Sequence, residues 1–320
     1  MSSAAVALAG LSWIGNRARW VLAMGVLLAL VLPGLSSALR PLLPAFVVLI
    51  FAVAAARLDV FAVVRSAAAP PRLLRLAALT LALLVATPVL LWTVACAAGA
   101  SEAVLAAVVY TGVAPPITSA AGLCLLLGLE AGLALQLTVA ASLAAPFLGP
   151  VVASTLLGAA VPIEPVALAE RVAAMIGAGA ALGIGARRYL GEALIARQAK
   201  AFDGIGALTM LVFVIPLFDG VWAQVLADPG RALGILGLAV AVNFGLQAAI
   251  ALGARRIAGR AKAGAAGLAW GNRTVALYYA ALPPDPTFGL YVALYQIPML
   301  FTPLVMGPVL GAQSSRSCDR

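Results

Sequence analysis

The chain has 320 residues, of which 64% are hydrophobic and only 10% charged, with a formal net charge of +9 and a mean hydropathy of +1.11. A soluble domain is about half apolar and a quarter charged, so a water-soluble fold of this size has no means of hiding so much apolar surface, and lipid must cover it. The charge would suit nucleic acid if it lay on one solvated face, but the basic residues sit in the gaps between apolar stretches, which excludes that partner and names the lipid bilayer.

A membrane-crossing helix needs roughly 20 mostly apolar residues. Ten such stretches run along the chain: Trp20–Leu39, Leu42–Ala56, Leu73–Ala98, Ala103–Gly128, Ala131–Gly158, Pro165–Gly185, Gly204–Ala227, Ala232–Gly253, Gly264–Leu282 and Thr287–Leu310. The pattern predicts an all-α polytopic membrane protein of about ten transmembrane helices. Met1–Gly15 carries its apolar part before Arg17 and Arg19, the reverse of a secretory signal, so it is expected to stay attached, with Trp13 in the interface. All of the 20 Lys and Arg except Arg40, Arg171, Arg231 and Arg273 fall in the tails or in the even-numbered gaps between spans. Orientation follows basic residues in short loops, so this asymmetry predicts an inner, cell-membrane protein with both termini cytoplasmic.

Cys96, Cys124 and Cys318 are too scattered for a disulfide framework, and the absence of His removes the commonest metal ligand. No metal or other cofactor is expected. Glu102, Glu130, Glu164, Asp228 and Asp285 are dispersed singly, and Glu164 and Glu170 flank a proline, so no carboxylate pair or metal motif points to an enzyme. A membrane-embedded enzyme and a non-transporting receptor or scaffold are the rival classes.

The segment Val161–Pro165, with Pro162, Glu164 and Pro165, divides the ten spans five and five, giving repeats at 1–160 and 161–320. An odd number of spans per half inverts the second half in the membrane, the geometry of an inverted-topology repeat. The fourth span of each half is interrupted. Val113-Ala-Pro-Pro-Ile-Thr118 places two prolines in succession, and proline lacks an N–H and clashes with the preceding turn. Trp270-Gly-Asn-Arg-Thr274 places Gly, Asn and a full charge in the matching span. Matched interruptions point to a transporter's binding site, because unwound backbone survives in a bilayer only where protein or a cavity satisfies it. The two broken helices are expected to cross near the midplane, although kinks of this kind also occur for purely structural reasons.

The two interruptions, with Tyr110–Gly122, Thr138, Ser142–Pro150, Ile50–Asp59 and Pro88, resemble the bile acid:sodium symporter family along nearly the whole chain. The resemblance implies a panel domain and a core domain, each formed from both halves, with two discontinuous helices crossing at the substrate site. It also assigns cation ligands, and there the chain departs: Leu83 stands for a Gln, Ala120 for a Ser, Ala121 for an Asn, Ala134 for a Ser, Ala269 for a Glu and Arg273 for a Gln, while Thr138 keeps its type. Methyl groups offer a sodium ion no oxygen ligands. The expectation is therefore a secondary transporter of a small organic anion that is not sodium-coupled, with a sodium- or proton-coupled symporter of the same fold as the alternative and Asp219 as the one carboxylate suited to carry a proton.

The candidate substrate-binding residues are Pro115, Pro116, Thr118, Thr138, Asn243, Asn272, Arg273 and Thr274. Asn243 and Gln247 lie one helical turn apart on one face, and hydrogen bonding between helices is their alternative role. Arg273 carries a charge into an apolar span at a cost of at least about 2.5 kcal/mol. Two readings of it stay open: its planar fork of donors receives an anion, or Asp219 or Glu170 neutralises it. Trp92, Tyr110, Tyr278, Tyr279 and Tyr291 read as interfacial or packing aromatics.

Overall fold

The structure, a computed structural model, describes residues 3–17, 33–58, 69–158 and 164–311, with the isolated positions 21, 28, 62, 63 and 65. It is 87% helix and without strands among the described residues, so the backbone polar groups are satisfied almost entirely within segments, as a bilayer requires. In chain order the main helices are α1 (Ser3–Asn16), α2 (Gly34–Arg57), α3 (Pro70–Ala97), α4 (Glu102–Val113), α5 (Ala120–Leu126), α6 (Ala131–Leu157), α7 (Pro165–Leu190), α8 (Ala199–Leu217), α9 (Pro229–Gly253), α10 (Arg260–Gly271), α11 (Ala276–Ala281) and α12 (Pro286–Val305). Proline opens α3, α7, α9 and α12, where its missing N–H costs no helical bond and its fixed φ favours the first turn.

Seven of these helices (α2, α3, α6, α7, α8, α9 and α12) are long and apolar enough to cross a membrane. They coincide with seven of the stretches read from the sequence. Of the rest, the fourth and ninth stretches are each divided, into α4 and α5 and into α10 and α11, and most of Trp20–Leu39 lies outside the described residues. So do Val161, Pro162 and Ile163 of the predicted midpoint. Large apolar side chains remain on the surface, among them Leu74, Leu125, Phe147 and Leu304, each more than 70% exposed. Water would penalise such a surface, and lipid does not.

The described residues fall into two compact units. One is drawn from Met1–Val60, Glu170–Pro229 and Ala276–Ala293, the other from Phe61–Ala169, Gly230–Val275 and Leu294–Arg320. Each unit thus takes segments from both halves of the sequence. In the first, α8 packs against α1 and α2, and α2 also meets α11. In the second, α6 is the hub, touching α3, α4, α5 and α10.

Two local features of the second unit set the course of its backbone near the buried polar residues. The helix α3 widens into a π-turn at Ala82–Ala86, immediately before Thr87-Pro88. Pro88 has no N–H to give the carbonyl one turn back, and the wider turn relieves that clash. Thr87 Oγ1 donates to the Ala82 carbonyl at 2.9 Å. Against the ring of Pro88 sits Gly112 of α4, where an added Cβ would lie 2.6 Å from the Pro88 Cα. Only glycine permits that approach.

Candidate functional site

The polar residues buried in the second unit gather at the two helix interruptions. The α4 helix ends at Val113, and Ala114 turns extended (φ −70°, ψ 141°) into Pro115-Pro116. The α10 helix ends at Gly271, and Asn272 is likewise extended (φ −95°, ψ 99°). The two extended segments lie antiparallel, joined by a bridge between Pro116 and Arg273. Ile117 N donates to the Asn272 carbonyl at 3.0 Å and Thr274 N to the Pro115 carbonyl at 2.8 Å. Each broken helix therefore supplies the backbone partners that the other has lost, which proline made necessary in one and not in the other.

The carbonyls left over are taken by side chains. Thr274 Oγ1 donates to the Pro116 carbonyl at 3.1 Å. Gly271, the last residue of α10, has its carbonyl bonded by Asn243 Nδ2 at 2.7 Å and by the Tyr295 hydroxyl. Asn272 Nδ2 reaches back to the Leu268 carbonyl at 3.3 Å, and its Oδ1 accepts from Thr302 Oγ1 at 3.2 Å. Gln247 Nε2 donates to Asn243 Oδ1 at 2.6 Å and to Thr302 Oγ1 at 3.0 Å. Asn243, Gln247, Asn272 and Thr302 are all fully buried.

Small residues bring this network into reach. Gly267 and Gly271 lie one turn apart on α10, facing Gln247 and Ala251 of α9 in the one case and Asn243 and Gln247 in the other. A Cβ on Gly267 would stand 2.6 Å from the Gln247 carbonyl oxygen. The glycine face lets the backbones of α9 and α10 touch, and the amides of α9 then reach the end of α10.

Arg273 closes the arrangement. Its side chain is 1% exposed, and its donors go to main-chain carbonyls of three different elements: Nε to Trp270 of α10 at 2.6 Å, Nη1 to Ala114 after α4 at 2.8 Å, and Nη2 to Leu83 in the π-turn of α3 at 3.3 Å. Each helix C-terminus carries about half a negative charge. Two of them converge here, so the guanidinium meets close to one compensating charge without any acid. Among the described residues no carboxylate pairs with it. Asp219, one of the acids considered as its partner, instead accepts a bond from Ser37 Oγ at 2.6 Å.

The structure brings Pro115, Pro116, Asn243, Asn272, Arg273 and Thr274 together at this crossing. The other two candidates stand apart from its bonding. The Thr138 hydroxyl donates to the Ala134 carbonyl of its own helix at 2.8 Å, and Thr118 is half-buried in the turn before α5. Ala120 and Ala134 lie in one apolar cluster with Leu268, so two of the positions for which the family resemblance implied cation ligands are packed among apolar side chains. Sequence reasoning missed Tyr295, Thr302 and the Trp270–Thr87 bond (Nε1 to Oγ1, 3.0 Å). The signal for Thr87 was its place beside Pro88; Tyr295 and Thr302 carried none beyond their polarity in an apolar span. Tyr110, Tyr278, Tyr279 and Tyr291 are all buried.

Scanned against protein-family models the chain matches none, and no curated protein matches it.

Proposed function

We propose that this protein is a secondary transporter of a small organic anion, working by alternating access around the paired interruptions and without sodium coupling. The observation that carries the reading is the antiparallel pairing of Pro116 and Arg273. Two helices of a membrane protein are broken at the same place, at the cost of helical hydrogen bonds, and a purely structural protein gains nothing from that pairing that two continuous helices would not supply. The bilayer frame of the proposal is ten spans in two inverted repeats, with both termini cytoplasmic.

The absence of sodium coupling follows from Arg273. In the resemblance to bile acid:sodium symporters this position belongs to the cation site. Here a guanidinium stands there, tethered to the chain and bonded to the carbonyl of Trp270, the carbonyl of Ala114 and the carbonyl of Leu83. A tethered cation cannot be carried across, so it holds the crossing permanently in the state that a bound ion would create. Three of its five N–H donors are held by the chain, which favours a structural role for the guanidinium, and the anionic character of the solute rests on the family resemblance.

Uptake of radiolabelled organic anions into proteoliposomes, with and without a sodium gradient, tests this. The expected result is saturable uptake whose rate is the same with sodium or choline outside. Uptake that rises with the sodium gradient would refute the coupling assignment, and a protein that moves none of a broad panel would refute transport.

A further inference from the structure

The first compact unit holds a second cluster of charge, unconnected to the crossing in its bonding. A cavity of about 300 Å³ is lined by Arg40, Pro41, Pro44, Tyr279, Ala280 and Leu282, with Leu43 and Pro284 completing its wall. That volume is at the lower end for pockets that hold small organic molecules. The Arg40 guanidinium lies over the ring of Tyr279, 3.8 Å from its centroid. Stacking of this kind fixes the plane of the fork while leaving its N–H edge free. Tyr279 is itself held edge-on by Phe288, the ring centroids 5.7 Å apart at 84°.

Arg40, like Arg17 stacked on Trp13, differs in one respect from three arginines of its unit that have acceptors in the chain. Arg57 pairs with Asp203 at 2.6 Å, Arg187 with Glu192 at 2.7 Å, and Arg171 Nη1 donates to the Ala281 carbonyl at 2.9 Å. For Arg40 no carboxylate or carbonyl acceptor of the guanidinium exists among the described residues. Asp219 acts on it only through space, its Oδ1 being bonded to Ser37. The neighbouring Asp285 caps α12 by accepting from Phe288 N at 2.6 Å. Arg40 and Arg171 are also two of the basic residues that break the charge asymmetry of the loops, and both are spent on one short helix: Arg40 on Tyr279, Arg171 on Ala281. The helix end that walls the cavity is thus braced from two sides.

We propose that this cavity binds an anion with an apolar body, a carboxylate or phosphate head seated on the Arg40 fork and a short hydrocarbon part against Pro41, Pro44, Ala280 and Leu282. A half-buried guanidinium that lines the cavity, oriented by an aromatic face and bordered by apolar walls, is complementary to that chemistry. The head group can belong to a soluble acid or to an anionic lipid. The site goes beyond the transport reading and stands whether or not the protein moves a solute.

The test is equilibrium binding of radiolabelled octanoate to the full chain in phosphatidylcholine nanodiscs, with no gradient present. The expected result is saturable binding to the wild type, weakened at least about tenfold in Arg40→Gln, which removes a charge-assisted pair, and equally in Ala280→Trp, which fills the cavity and leaves the charge. Adding phosphatidylglycerol to the disc separates the two sources: suppression of octanoate binding identifies a lipid head group as the occupant, and unchanged binding identifies a soluble anion. No saturable binding to the wild type, or binding unaltered in both variants while each remains folded by its thermal transition, would overturn the proposal. Failure here with uptake intact removes this site alone, and binding here without uptake by any panel member removes the transport reading alone.

Discussion

Arg273 and Arg40 carry the same guanidinium into opposite surroundings. Around Arg273 three main-chain carbonyls hold Nε, Nη1 and Nη2, two helix C-termini supply the compensating charge, and the side chain is closed off from solvent. Around Arg40 one aromatic face fixes the plane, among the described residues nothing accepts from the guanidinium, and the residue lines a cavity. The difference teaches how to separate a charge that builds a fold from one that recognises a ligand. The first has each of its three nitrogens bonded within the chain; the second has its orientation settled and its hydrogen bonds still to make.

The contrast is broken most forcefully at Arg273. Arg273→Ala leaves buried carbonyls without donors and two helix ends without a counter-charge, and is expected to lower stability by about 3–5 kcal/mol, read as a large fall in the thermal transition in detergent. Arg273→Lys keeps the charge but not the three-way reach, and should fall between the two. If Arg273→Ala unfolds at the wild-type temperature, the guanidinium does not hold the crossing.

Asn243→Ala sharpens the same point on a neutral group. It takes one of two donors from the Gly271 carbonyl and leaves Gln247 Nε2 with one acceptor fewer. The expected loss is about 1–3 kcal/mol, smaller than at Arg273 because Tyr295 still bonds Gly271. A loss equal to that of Arg273→Ala would mean that the amide network, and not the charge, organises the crossing. The smallest effect on stability belongs to Arg40→Gln, under about 1 kcal/mol for an incompletely buried cation–π contact. A drop as large as at Arg273 would show that Arg40 is structural after all.

Much of the crossing was readable from the chain because the informative residues violate a local rule. Pro115-Pro116 cannot continue a helix, and Arg273 cannot sit in an apolar span for nothing, so both interruptions were visible, as was the shared face of Asn243 and Gln247. The partners of Arg273 were not visible. Its acceptors are carbonyls, which every residue owns, so side-chain identity gave no hint of them and drew attention to Asp219 instead. The π-turn at Ala82–Ala86 was hidden for a like reason: Ala-Leu-Leu-Val-Ala is ordinary helix, and only Pro88 beyond it marks the disturbance. Thr138 drew attention through the family resemblance, but its hydroxyl turns back onto its own helix. Arg40 registered only as an exception in the loop charges, because its meaning depends on a tyrosine far away in sequence.

If Arg273 is a tethered cation that bonds the carbonyls of two broken helices, a free guanidinium should replace it when the side chain is removed. The thermal transition of Arg273→Ala in detergent is measured with millimolar ethylguanidinium and, at equal ionic strength, with sodium chloride. Ethylguanidinium is expected to raise the transition toward the wild-type value, sodium chloride to have a smaller effect, and neither to move the wild type. A variant indifferent to ethylguanidinium, or one as stable as the wild type without it, would mean that the guanidinium does not hold the two helix ends.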